Sequence, residues 1–95
     1  MTYELKFYRQ AFKEWKKLDK SIQRQLKRKL TQRLIAPHVV ASRLRGFESV
    51  YKIKLRSSGY RLVYQVKDEE IVVLVVVIAK RDRGEVYKKA RERLM

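Results

Sequence analysis

The sequence predicts an α+β fold: a mostly antiparallel four-stranded sheet with a helical hairpin on one face and a short C-terminal helix. Three observations predict it. Apolar residues switch from period-two alternation to helical spacing and back again along the chain. Residues 51–64, YKIKLRSSGYRLVY, have the alternation and central turn of a β-hairpin. Residues 71–79 run nine positions without a polar side chain and are rich in β-branched residues, as in a strand buried on both faces. The order is β-α-α-β-β-β-α, and 95 residues make one domain, 1-95, with one core.

The elements follow in turn. Tyr3, Leu5 and Phe7 alternate with Thr2, Glu4 and Lys6, giving a first strand with one buried face. Tyr8, Ala11, Phe12, Trp15 and Leu18 then fall at helical spacing, with Trp15 read as core. Asp19 or Ser21 is placed to cap a second helix over 22–35, whose inward stripe is Ile22, Leu26, Leu30 and Leu34. Pro37 ends that helix, and the short break makes the two helices an antiparallel pair on the sheet. The outer face of the second helix is basic (Arg24, Lys27, Arg28 and Arg33), and His38 is read as a loop residue.

Residues 39–46 form a loop in which Gly46 supplies a turn before the hairpin. In the hairpin, Tyr51, Ile53 and Leu55 share a face with Tyr60, Leu62, Tyr64 and Val66. Lys52, Lys54 and Arg61 therefore gather on the other face, since a one-residue slip would bury Lys54 beside Leu62. Like charges across strands destabilise a sheet, so this row is either a solvated face whose long stems cover apolar surface or a site for a polyanion. The hairpin alone favours neither. After a polar turn over 67–70, the apolar run makes the middle of the sheet. A last helix over 85–95 covers part of its second face through Val86, Ala90 and Leu94, a stripe narrow enough to make it the least firmly docked element.

Composition narrows the function. Lys and Arg number 25 against 10 Asp and Glu, a formal charge of +15, and the usual counterpart of such an excess is nucleic acid or an acidic protein. Cysteine is absent, which excludes a disulfide framework and a thiolate nucleophile, and the single histidine excludes a histidine-rich metal site. No signal-type run opens the chain, and the longest apolar run falls far short of the ~20 residues of a membrane span. A soluble, cytoplasmic protein with no membrane partner is expected.

The strand after the hairpin delivers Lys80, Arg81, Asp82 and Arg83, followed by Tyr87. Lys52, Lys54, Arg61, Arg81 and Tyr87 then surround one concave basic surface. With the usual acid–base residues lacking there, proton carriers would have to be Tyr, Lys or Arg. Phosphodiester cleavage in RNA tolerates this, because the substrate brings its own 2′-hydroxyl nucleophile. Crowded cations lower the pKa of a lysine or tyrosine, and fixed guanidinium groups stabilise developing phosphorane charge.

Residues 51–64, the Leu44-Arg45-Gly46 approach, the 12–18 segment FKEWKKL and the tail from Lys80 to Arg83 with Val86-Tyr87 together resemble the RelE family of bacterial toxin–antitoxin toxins, within the broader RelE/ParE group. The resemblance covers essentially the whole chain. It implies a ribosome-dependent endoribonuclease that cuts mRNA in the ribosomal A site without metal or other cofactor, leaving a 2′,3′-cyclic phosphate. It implies catalytic roles for Lys52, Lys54, Arg61, Arg81 and Tyr87, with either Tyr87 or Lys54 as the base. Arg45, Arg56, Lys80 and Arg83, with Arg24, Lys27 and Arg28 on the second helix, are the candidates for binding RNA and ribosome. The implied partners are a RelB-like antitoxin that displaces the C-terminal helix, the 70S ribosome with its rRNA, and mRNA.

Three alternatives carry different expectations. A ribosome-independent ribonuclease on the same fold cuts free RNA. A ParE-like inhibitor of DNA gyrase is a binder and has no need of the five-residue set. A plain nucleic-acid-binding module binds with steep salt dependence and cuts nothing.

Overall fold

The computed structural model describes residues 2–81 and 84–95. Its elements are β1 (Glu4–Phe7), α1 (Arg9–Lys16), α2 (Lys20–Ile35), β2 (Val50–Lys54), β3 (Tyr60–Lys67), β4 (Val72–Lys80) and α3 (Glu85–Leu94), with a short 3-10 turn over Val40–Ser42. The predicted order and sheet are found. The sheet runs β1-β4-β3-β2, so the apolar strand is interior as expected. β2–β3 and β3–β4 are antiparallel, while β1 pairs with β4 in parallel.

The hairpin register follows the hydrophobic pattern. Tyr51 faces Tyr64, Ile53 faces Leu62, and Lys54 stands opposite Arg61. Its turn is closed by the Leu55 N–H to the Tyr60 carbonyl at 2.9 Å, and Gly59 takes φ +77°, where a side chain would be strained. β2 ends at Lys54, so Arg56 lies in the turn and not in the strand.

One face of the sheet carries α1 and α2. Ala11, Ile22, Leu26 and Leu30 bury against Tyr51, Ile53, Leu62, Tyr64, Val73, Val75 and Ile78, and Trp15 and Leu34 pack at the margin. The other face carries α3, whose Val86 and Ala90 close over Val50, Val63, Val76 and Val77. Val76 and Val77 both face α3 because β4 contains a bulge. Val63 pairs with Val77 but Tyr64 pairs with Val75, leaving Val76 without a partner and reversing the alternation beyond it.

β1 is short and stops pairing at Val75, which leaves the edge of β4 open from Val76 onward. α1 lies along that edge. The Glu14 carboxylate accepts the Ile78 N–H at 3.0 Å and holds the Arg93 guanidinium of α3 through two contacts of 2.9 Å, while Arg93 donates to the Val76 carbonyl at 2.8 Å. One ion pair thus satisfies the strand edge and ties α3 to α1. α3 is therefore fastened by this ion pair as well as by its narrow apolar stripe.

Several expectations are corrected. Ile71 is not in β4; it sits in the preceding turn at φ +56°, and such a conformation costs a β-branched residue roughly 1–3 kcal/mol. Asp19 occupies the N-cap position of α2 without a side-chain capping bond, and Ser21 lies inside the helix. The Gln23 amide holds the α1–α2 turn instead, donating to the Trp15 carbonyl at 2.7 Å. Phe12 is 45% exposed, because α1 turns only Ala11 and Trp15 toward the core and leaves Phe12 on its flank against Phe7. His38 is more than a loop residue. It meets the Asp68 carboxylate at 3.0 Å, Asp68 accepts the Tyr3 hydroxyl at 2.7 Å, and the imidazole lies edge-on to Tyr51. Those contacts hold Asp68 below the usual carboxylate range, the Tyr3 hydrogen bond first and the His38 contact second, and hold Tyr3 above its own.

Candidate active site

The exposed end of the β2–β3 hairpin, the residue after β4 and the start of α3 carry the five predicted residues. Lys52 and Lys54 project two residues apart on β2, and Arg61 stands across from Lys54 on β3. Arg61 Nη1 donates to the Tyr87 hydroxyl at 3.0 Å, and both Arg61 and Lys52 lie over the Tyr87 ring, at 5.6 and 5.8 Å from its centroid. Such contacts fix the ring by cation–π attraction as well as by packing.

Arg81 joins them because of the bulge. Beyond Val76 the alternation places Ala79 opposite Arg61, so Arg81, two residues on, returns to the Arg61 side. Its backbone is pinned by the Arg81 N–H donating to the Gly59 carbonyl at 2.7 Å. A hollow of about 220 Å³ results, lined by Lys54, Arg56, Tyr60, Arg61 and Arg81.

Concentrating cations changes Lys54. The charges of Lys52 and then Arg61 are the main cause of a lowered lysine pKa, with partial desolvation, Arg56 and Arg81 adding to it. Deprotonation relieves repulsion from four neighbours, so a neutral amine forms there more readily than on an isolated lysine. A neutral Lys54 can take up a proton, while the guanidinium groups of Arg61 and Arg81 supply positive charge beside it. Tyr87, already accepting a bond from Arg61, keeps its own O–H free to donate.

The other predicted binding residues are dispersed. Arg56 lines the hollow. Arg45 is exposed on a loop whose Phe47 lies under Arg91 of α3, and it does not line that hollow. Lys80 belongs to the helical-hairpin side, with its ammonium 5.5 Å from the Tyr60 ring, because the bulge that turns Arg81 inward turns Lys80 out. Arg24, Lys27 and Arg28 are exposed on α2. Arg83 lies outside the described residues.

Sequence reasoning placed Arg33 with the solvent-facing cations of α2, but it points inward. Its Nη1 donates to the Tyr64 hydroxyl at 2.8 Å and to the Lys52 carbonyl at 3.3 Å. Tyr64 in turn donates to the Pro37 carbonyl at 2.7 Å; burial raises its pKa, with Arg33 opposing. Arg33 therefore supports the strand that carries Lys52 and Lys54. The available signal was its spacing, three residues after the buried Leu30 and so on the same flank of the helix.

Comparison with known proteins agrees with this architecture. The family of the ParE toxin of type II toxin–antitoxin systems, parDE, matches residues 5–84. The chain is 53% identical to the mRNA interferase toxin RelE of Escherichia coli K12, over all of both chains, and equally so to mRNA interferase RelE of Shigella flexneri. Among solved structures, the R81A/R83A form of E. coli toxin RelE in the free state superposes with a TM-score of 0.91, at 50% identity over the whole of both chains. The same variant in complex with a peptide of the antitoxin RelB superposes at 0.83, with 52% identity over 95% of each chain. Among the described residues no helix is long and apolar enough to cross a membrane. The chain belongs to the RelE/ParE family of type II toxin–antitoxin toxins.

Proposed function

We propose that this protein is a toxin whose residues 1–95 act as one domain: a ribosome-dependent endoribonuclease that cuts mRNA in the A site and so stops translation. The observation that carries this reading is a small hollow lined by Lys54, Arg61 and Arg81, with Arg61 bonded at its side to the Tyr87 hydroxyl at 3.0 Å and Lys52 over the Tyr87 ring. The mRNA interferase names of its full-length relatives support it.

Neutral Lys54 accepts the 2′-hydroxyl proton, the 2′-oxygen attacks the adjacent phosphorus, and the bond to the 5′-oxygen breaks. Lys52, Arg61 and Arg81 stabilise the dianionic phosphorane. The Tyr87 O–H supplies the proton to the departing 5′-oxygen. Products are a 2′,3′-cyclic phosphate and a 5′-hydroxyl, so the substrate provides the nucleophile and no metal is required. The cations elsewhere on the chain favour docking against ribosomal RNA in the cytoplasm. A RelB-like antitoxin silences the site by displacing α3 and with it Tyr87, which means breaking the Arg93–Glu14 pair.

Purified protein incubated with mRNA, alone and on ribosomes with an empty A site, tests this, with 5′ ends mapped by primer extension. Cleavage on ribosomes only, lost in Arg81→Ala, is expected. Cleavage of free RNA would mean a general ribonuclease, and no cleavage in either setting would favour gyrase as target.

A further inference from the structure

The outer edge of the sheet carries a second cationic groove. It has a volume of about 340 Å³, with β2 as its floor, the last turns of α2 as one wall and the 3-10 turn as the other. Lys29, Arg33, Ser42, Lys52, Lys54 and Arg56 line it, and its lining among the described residues includes no carboxylate. It shares Lys54 and Arg56 with the hollow where cleavage would occur, so the two adjoin at the end of β2.

Arg33 is held in place for this groove. Its bonds to the Tyr64 hydroxyl and the Lys52 carbonyl, with Nη2 3.4 Å from Ser42 Oγ, fix the guanidinium while leaving some of its five N–H groups uncommitted. Lys29 precedes it by four residues on the same helix face and is exposed. A protein segment would need apolar anchors, and the groove offers only Ala41 and the buried Ile53. The open hollow beside β1 offers such anchors in Leu5, Phe7 and Phe12, with Lys6, Arg9, Lys13 and Lys16 around them.

We infer that this groove binds the backbone of the same RNA strand, one phosphodiester or more away from the cut, with Lys29 and Arg33 as its phosphate contacts. The inference rests on the ribonuclease reading and extends it to residues outside the reacting centre. A strand held on both sides of Lys54 is positioned by its flanking phosphates, so part of substrate recognition is independent of base identity.

The test uses ribosomes programmed with mRNAs in which one flanking phosphate at a time is replaced by a neutral methylphosphonate. A 2′-O-methyl group protects that linkage, and an mRNA carrying the 2′-O-methyl alone serves as reference. Cleavage at subsaturating toxin is compared for the natural protein, Lys29→Glu and Lys13→Glu, the last carrying the same charge change on α1. We expect one flanking position at which neutralisation slows the natural protein by about 2–5-fold, the worth of an exposed ion pair. Lys29→Glu should be slower on the reference mRNA and should lose the sensitivity at that position, whereas Lys13→Glu keeps it. Full sensitivity in Lys29→Glu, or no sensitive position in the natural protein, would overturn the inference while leaving the ribonuclease reading intact. So would Lys29→Glu weakening only an acidic antitoxin peptide. No cleavage of the reference mRNA by the natural protein would mean instead that the ribonuclease reading itself fails, and the inference with it.

Discussion

On the face of the sheet that α1 and α2 cover, Leu26, Leu30, Leu62 and Tyr64 are wholly buried, and Phe7 and Trp15 pack at the border. On the opposite face α3 adds Val86 and Ala90 to a layer of valines, with Tyr87 and Leu94 at the margin, and the hairpin end beside it stays open and cationic. The difference shows a division within one small sheet. The first face supplies the apolar burial that holds the fold, and the second tolerates repulsion among Lys52, Lys54, Arg61 and Arg81 because the first compensates for it. The two communicate through Glu14, which belongs to α1 yet fastens α3.

The largest effect should come from damage to the first face. Leu26→Ala removes a fully buried side chain between α2 and the sheet and should cost about 2–5 kcal/mol, measured by urea unfolding. A loss below 1 kcal/mol would mean that the helix pair is not the main source of stability.

The link between the faces comes next. Glu14→Ala leaves the Ile78 N–H and the Arg93 guanidinium without their carboxylate, and the pair is largely buried, with 13% and 22% of the two side chains exposed. A cost of about 1–3 kcal/mol is expected, with amide exchange accelerating in α3 more than in α2. Equal acceleration in both helices would argue against a specific clasp on α3.

A smaller effect sharpens the account of the open face. The proposed base, Lys54, would take a proton only when neutral, and Lys52 is the chief cause of its lowered pKa. Lys52→Gln removes that charge and raises the Lys54 pKa, so the rise of cleavage rate with pH should move to higher pH, whatever happens to its maximum. A profile that fails to move would point to a base other than Lys54.

Much of this division was legible in the sequence. The hairpin alternates strictly, so its register and the gathering of Lys52, Lys54 and Arg61 follow from where Ile53 and Leu62 must go. β4 was legible as interior but not in phase, because a run of valines is compatible with either face. The bulge at Val76 is therefore silent in the sequence, and it decides that Arg81 joins the cluster and Lys80 leaves it. Arg33 reads as a surface charge for a related reason, and the sequence gives no sign of what Glu14 does. Their partners are backbone carbonyls, a backbone N–H, a tyrosine hydroxyl and a distant arginine, groups that only the packed structure brings near.

Lys54→Ala, measured for both ribosomal cleavage and unfolding, tests the central claim most directly. The account predicts single-turnover cleavage lowered by at least about 10²-fold, the scale of a lost general base. It also predicts unfolding free energy unchanged or increased, because one of a group of mutually repelling cations is gone. Cleavage near the natural rate, or a loss of stability in step with the loss of activity, would contradict it.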